Sequence, residues 1–256
     1  MEAAKHTPSS ESLQTDVWAD SFAQQAHQWE VPLVDLRRLG LHHDQDGFIS
    51  SKELIALTSG AEAQPYLDRE AQVVYKLFDL KINGSLGKKI VLTRDPEIGF
   101  EVETQDAIWT DTLEKLSVLN DAGGLITEIV GLASTGDYLI AKQPLAYPHE
   151  NYLDDLFVAQ EAIKAVKPIG GGLRQPIIIS YVNDQPWLIG DLHERNIMRD
   201  SLNRPTIIDA LIGSVYPSAL KQLPWLRQGC EDAWIYRETG VCPVHDPFDG
   251  IDDSQL

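Results

Sequence analysis

GDLHERNIMRDSLNRPTIIDALIG, residues 190–213, is the stretch from which the rest of the chain can be organised. Asp191 is followed five residues later by Asn196, and Asp209 comes thirteen residues beyond that. Between them IMRDSLNRPTII has apolar ends and a turn-forming centre, the pattern of a short β-hairpin. Asp209 closes the apolar run TIID. A single Asp at such a position is usually a turn cap. Three oxygen-bearing side chains around one hairpin suit a different task. Phosphoryl transfer needs in-line positioning and neutralisation of charge on the phosphate oxygens. Mg²⁺ prefers oxygen ligands, one or two from carboxylates, and Asn196 and Asp209 carry such oxygens. Asp191 can accept the proton of an attacking hydroxyl. The expectation is therefore an ATP- and magnesium-dependent transfer with Asp191, Asn196 and Asp209 as catalytic residues and Asn196 and Asp209 as the metal ligands.

Working upstream, the apolar run QVVYKLFD contains Lys76. A lysine inside an apolar strand must reach an edge, a cleft or a carboxylate. A strand lysine that holds phosphates and pairs with a helix carboxylate fits the position. The helix predicted from DAIWTDTLEKLSVLNDAGG offers Glu114, with Asp111 one turn earlier. Its apolar residues Ile108, Leu113, Leu116 and Leu119 share most of one face, and Gly123 and Gly124 stop it. Before the lysine strand, TSGAEAQPYLD holds one glycine, Gly60, whose turn is the expected phosphate cradle. The hairpin LITEIVGLASTGDYLIAKQPLAY turns at residues 134–137.

Taken in order, SGAEAQPYLDREAQVVYKLFD, TLEKLSVLNDAGGLITEIVGL, DYLIAKQPLAY, GDLHERNIM and IIDALIG resemble the kinase-like domain of polyvalent proteins from phages and conjugative elements. That domain is a distant relative of protein kinases and aminoglycoside phosphotransferases. The resemblance covers about residues 50–215. It implies Lys76 as phosphate-binding, Glu114 as its partner, Asp191 as base, Asn196 and Asp209 as metal ligands, and backbone at Gln143 and Leu145 as the adenine-binding hinge. Three departures stand out. Gly190 precedes Asp191 where many kinases have Arg. DAL replaces DFG at Asp209. Only 47 residues follow Asp209, too few for a full activation loop and a large helical substrate lobe.

The expected fold class is α+β, two-lobed, with an antiparallel-sheet first lobe and a reduced, helix-rich second lobe. The boundaries are 1–49 for an extension that is first disordered and then helical, 50–142 for the first lobe, 143–149 for a hinge and 150–256 for the second lobe. Residues 31–41 read as a short helix and 79–105 as a loop with one short strand. Residues 154–169 read as an amphipathic helix, and the last 45 residues contain four prolines and end in an acidic tail.

Composition sets the partners. The chain has 256 residues, 43% hydrophobic and 23% charged, with a net charge of -18. A field of that sign repels phosphate backbones and anionic lipid, which argues against nucleic-acid and membrane-surface roles. The acceptor is then a hydroxyl of a protein or small molecule; the oligomeric state is open. Cys230 and Cys242 lack metal or redox spacing, no run is long enough to span a bilayer, and the N-terminal residues lack a signal-peptide shape. These point to the cytoplasm with free thiols. HHDQDGFISSKE resembles a calcium loop, but His42 stands where a carboxylate is expected, and an Asp-Gly turn is the simpler reading. PIGGGLRQP lacks the GK[ST] of a phosphate loop and reads as a connection. A catalytically silent nucleotide-binding module is the competing function.

Overall fold

The structure is a computed structural model and describes residues 30–44, 48–58, 60, 62–81, 86–95, 99–168 and 177–245. The polar N-terminal extension, the helix expected at 16–29, most of the Gly60 turn and the glycine-rich 169–176 connection lie outside these. It is an α+β chain whose described part has four α-helices. It divides into two units, one of Met1–Lys88, Asp106–Ser117 and Leu125–Ala146, the other of Lys89–Gln105, Val118–Gly124 and Tyr147–Leu256.

In chain order the first elements are β1 (Leu33–Val34), a 3-10 turn (Leu36–Leu39), β2 (Leu41–His43), β3 (Ile49–Ser51), β4 (Ile55–Ala56), β5 (Gln64–Asp68) and β6 (Val73–Asp79). The short helix expected at 31–41 is thus a strand, a 3-10 turn and the start of a second strand. Asp35 caps that turn by accepting from Arg37 N–H, and Gly40 ends it in the left-handed region. The β2–β3 hairpin occupies the calcium-loop-like segment. Asp44 Oδ1 accepts from Phe48 N–H (2.9 Å), and the Asp46-Gly47 pair of the expected turn lies outside the described residues.

Next come β7 (Lys88–Asp95), β8 (Gly99–Asp106), α1 (Trp109–Ala122), β9 (Glu128–Ala133) and β10 (Tyr138–Pro144). Here the expected loop at 79–105 is corrected: it holds two eight-residue strands. Ile90 and Leu92 alternate along β7 and are buried beside Leu188 and Leu211, so the period-2 signal was present amid charged residues. Helix α1 ends at Gly123, whose φ is 106°. Leu116 and Leu119 are buried as the periodicity predicts, whereas Ile108 lies outside the helix and is exposed.

The first unit is built on one six-stranded sheet in the order β1-β9-β10-β6-β5-β4. All its pairings are antiparallel except β1 with β9. Gly131 permits that exception: a Cβ there would stand 2.3 Å from the Pro32 carbonyl oxygen. Leu132 N–H donates to the same carbonyl (2.8 Å). Leu132, Leu139 and Ala141 fill one side with Phe78 and Leu116, and Leu41, Leu77 and Ile140 fill the other.

The second unit continues with β11 (Tyr147–Pro148), α2 (Tyr152–Ala162), β12 (Ile178–Val182), β13 (Gln185–Gly190), β14 (Ile197–Arg199), β15 (Pro205–Ile207), β16 (Leu211–Ser214), α3 (Pro217–Gln222) and α4 (Pro224–Thr239). Two three-stranded sheets, β11-β14-β15 and β12-β13-β16, stand beside its helices. Pro217 and Pro224 open helices at N1, where the missing N–H would have had no helical partner anyway. Leu226, Cys230 and Ala233 of α4 are buried with Ile179 and Leu188. No described helix is long and apolar enough to cross a membrane.

Candidate functional site

Strand pairing assembles the quoted stretch. Gly190 pairs with Leu211 at the end of the β13–β16 ladder, and Ile197 pairs with Ile207 in the β14–β15 hairpin. Between the two ladders lie Asp191–Asn196 on one side and Ile208–Ala210 on the other. Ile208 N–H donates to the Asn196 carbonyl (2.9 Å) and ties the two sides together. The three candidate catalytic residues therefore lie in one loop cluster of the second unit. Apolar neighbours anchor it: Leu192, Ile197, Ile207 and Ala210 are buried in one core with Ile189 and Ile212.

Asp191 has φ 58°, in the left-handed region. An aspartate tolerates that backbone at a cost, and such residues gather at functional sites. Asn196 holds the turn closed. Its side-chain amide donates to the Asp191 carbonyl (2.9 Å), and its N–H to the His193 carbonyl (2.9 Å). With Nδ2 so engaged, Oδ1 is the end left to act as an oxygen ligand. His193 Nδ1 accepts from Arg195 N–H (3.1 Å), which puts the ring proton on Nε2, 3.8 Å from Asp191 Oδ2. Asp191 and His193 side chains keep 45% and 49% of their surface in solvent. Asp209 Oδ1 accepts from Ala210 N–H (2.9 Å). Among the described residues no cluster of three or more His, Cys, Asp or Glu side chains stands ready for a metal. The amide-plus-carboxylate set of Asn196 and Asp209 suits Mg²⁺, which keeps several waters and is completed by phosphates.

Residues 147–155, upstream of β12 and β13, are fastened to this cluster. β11 pairs with β14, Tyr147 opposite Arg199 and Pro148 opposite Met198. Arg199 forks onto Asp155 with two contacts of 2.7 Å and reaches Glu150 at 3.1 Å. The Arg199 guanidinium beside it holds the Asp155 carboxyl below the usual carboxylate range, against the opposing effect of burial. Tyr152 Oη donates to the Leu192 carbonyl. None of these three ties, each about forty or more residues long, has a sequence signature.

The upstream candidates lie in the first unit. Lys76 is half-buried on β6, opposite Ala141 of β10 and Pro65 of β5. Glu114 is exposed on α1. On that helix Lys115 pairs with Glu62, and Lys115 keeps only 4% of its side chain in solvent. The reason is helical phase: position 115 faces inward beside Leu116, while 114 faces out. Asp111, the alternative partner for Lys76, accepts from Ile108 N–H (2.9 Å) as a helix cap. Gly60 donates its N–H to the Ala63 carbonyl (3.3 Å). Gln143 is buried, its side chain donating to Thr127 Oγ1 (2.9 Å). Leu145 N–H donates to the Gln72 carbonyl (2.9 Å), which leaves no N–H at 145 for an adenine. Both cysteines are free, Cys230 buried and Cys242 exposed.

Compared with protein-family models, curated proteins and solved structures, the chain gives no match.

Proposed function

We propose that the chain is an ATP- and magnesium-dependent phosphotransferase of the two-lobed, kinase-like kind, moving the γ-phosphoryl group to a hydroxyl of a protein or small molecule. The observation that carries this reading is the closed turn at Asp191–Asn196, with Asp191 in the left-handed region and Asn196 bonded to the Asp191 carbonyl. A strained, half-exposed carboxylate in a turn fixed by its neighbours is suited to meet a reactant. The acceptor oxygen attacks the γ-phosphorus, the bond to the bridging oxygen breaks, and ADP leaves. The hydroxyl proton passes to the Asp191 carboxylate. Asn196 Oδ1 and the Asp209 carboxylate would hold Mg²⁺, which when bound neutralises charge on the phosphate oxygens. Lys76 keeps its assignment as the phosphate-binding lysine. The lysine strand β6 lies between β5 and β10, and α1 enters before β9, which suits a strand lysine followed by a carboxylate-bearing helix.

A catalytically silent nucleotide-binding module is the second reading. The exposure of Glu114 favours it, because a carboxylate in solvent gives a phosphate-binding lysine weaker support. Incubation with ATP labelled at the γ-phosphate or, separately, at the α-phosphate decides between them. Transfer of the γ-label alone supports the phosphotransferase. Transfer of the α-label would make the chain a nucleotidyl transferase. No transfer, together with a melting temperature raised by Mg-ATP, supports the silent module.

A further inference from the structure

We infer that Tyr152 is a positioning residue for Asp191, the tip of a clasp by which residues 147–155 set the shape of the Asp191–Asn196 turn. The kinetic part of this inference rests on the phosphotransferase reading; the conformational part does not.

The clasp has three points. Backbone pairing of β11 with β14 fixes the strand that leaves Asn196. The two-pronged Arg199–Asp155 contact fixes the same strand to α2 by side chains. Both act downstream of the turn, at residues 198 and 199. Only Tyr152 reaches the turn itself, donating its hydroxyl to the carbonyl of Leu192, the residue directly after Asp191. That carbonyl belongs to the Leu192–His193 peptide, so fixing it limits how the chain leaves the left-handed Asp191 backbone. The hydrogen bond therefore stabilises a conformation that an aspartate adopts only when its surroundings hold it there. Tyr152 is itself held: it starts α2, whose cap Asn151 accepts from Leu153 N–H (3.2 Å). Its ring packs on the core containing Leu192, Ile197 and Ile207, with the His149 ring tilted 5.8 Å away. A hydroxyl on a ring so fixed makes a directional support rather than a loose contact.

Asn196 supports the turn from the other side, through the Asp191 carbonyl. The successive carbonyls of Asp191 and Leu192 are thus each bonded by a side chain from outside these two residues.

The test is Tyr152→Phe, which keeps the ring and its packing and removes the hydroxyl. Amide hydrogen exchange is followed at Arg195, Asn196 and Ile208, whose N–H groups bond to His193 Nδ1, the His193 carbonyl and the Asn196 carbonyl. Exchange at these three amides should quicken by about fivefold, the consequence of losing one hydrogen bond, while amides of β12 and β13 stay as they are. In the phosphoryl-transfer assay kcat should fall roughly tenfold with the KM for ATP unchanged, since nucleotide contacts are intact while the base is mis-set. Unchanged exchange at 195, 196 and 208 overturns the inference. So does faster exchange throughout the second unit, which would make Tyr152 a general packing residue, and so does an unchanged kcat. A wild-type chain that transfers no phosphate defeats the phosphotransferase reading alone, and the exchange measurement then decides the clasp by itself.

Discussion

Two clusters of charge lie in opposite surroundings. In the second unit, Asp191 and His193 keep nearly half their side-chain surface in solvent, and Asp191 does so in a left-handed backbone that costs free energy. In the first unit, Lys115 and Glu62 keep 4% and 16% and form a close ion pair. The buried pair has its charges satisfied internally and has little left to offer a ligand. The exposed turn is over-determined in its backbone and open in its side chains. Burial with pairing marks groups that hold the fold, and exposure on a strained, fixed turn marks groups poised for a reactant. Substitutions in the two places should therefore separate activity from stability.

The largest separation comes from Asp191→Asn, which keeps the side-chain shape and removes the proton acceptor. Turnover should fall by roughly 10²–10⁴, the range a positioned base supplies, with the melting temperature and Mg-ATP affinity close to wild type. A variant that unfolds instead would make Asp191 a structural residue like Lys115.

Lys115→Ala is the mirror case. It strands the Glu62 carboxylate and should cost roughly 3 kcal/mol, the lower end for a broken buried pair, since Glu62 retains some solvent. For a chain of this size that is about 6–12 °C in melting temperature. Residual activity below the melting point should be much less affected. Calorimetry beside the transfer assay reads both. A loss of activity with no loss of stability would move the functional centre toward the first unit.

Acid sharpens the contrast within the second unit. Asp155 is held below its ordinary value by the Arg199 hydrogen bonds. A carboxyl with a lowered folded-state pKa contributes stability that is complete above its unfolded value, about 3.9, and is lost as pH falls through the folded one. Wild type should lose stability steadily below about pH 4, and Asp155→Asn should show a shallower loss over the same range. Denaturant midpoints from pH 6 to pH 2 measure the two slopes, and equal slopes would remove the pair from the account.

The smallest effect concerns the thiols. Burial, with Glu231 nearby, pushes Cys230 up to about 12, while Cys242 is exposed and raised more modestly, by partial burial and then by Asp232. A thiol reagent at pH 8 should titrate one cysteine in the native chain and two after unfolding. Two rapid reactions in the native chain would contradict the burial of α4.

What could be read in the sequence was local. The Asp191–Asn196 spacing, the hairpin after it, the 134–137 turn and the stop of α1 at Gly123 depend on residues a few positions apart, and turn and strand chemistry act at that range. The β7–β8 hairpin escaped because its apolar residues, among them Ile90, Leu92 and Val102, are interleaved with charge. The last two helices escaped because Pro217 and Pro224 look like breakers until their N1 positions are known. The Lys115–Glu62 pair and the Arg199–Asp155 fork join residues 53 and 44 positions apart. No pattern in a single sequence announces such meetings. Glu114 was preferred over Asp111 on spacing alone; in the fold position 114 faces solvent and Asp111 accepts from Ile108 N–H.

The most direct test of the exposed turn as the reacting centre is calorimetric titration of ATP, with and without Mg²⁺, into wild type and Asp209→Asn. Wild type should bind ATP tightly only with Mg²⁺, and Asp209→Asn should lose most of that magnesium dependence while keeping its fold. Magnesium-dependent binding by Asp209→Asn equal to that of wild type would contradict the assignment of the 191–209 cluster.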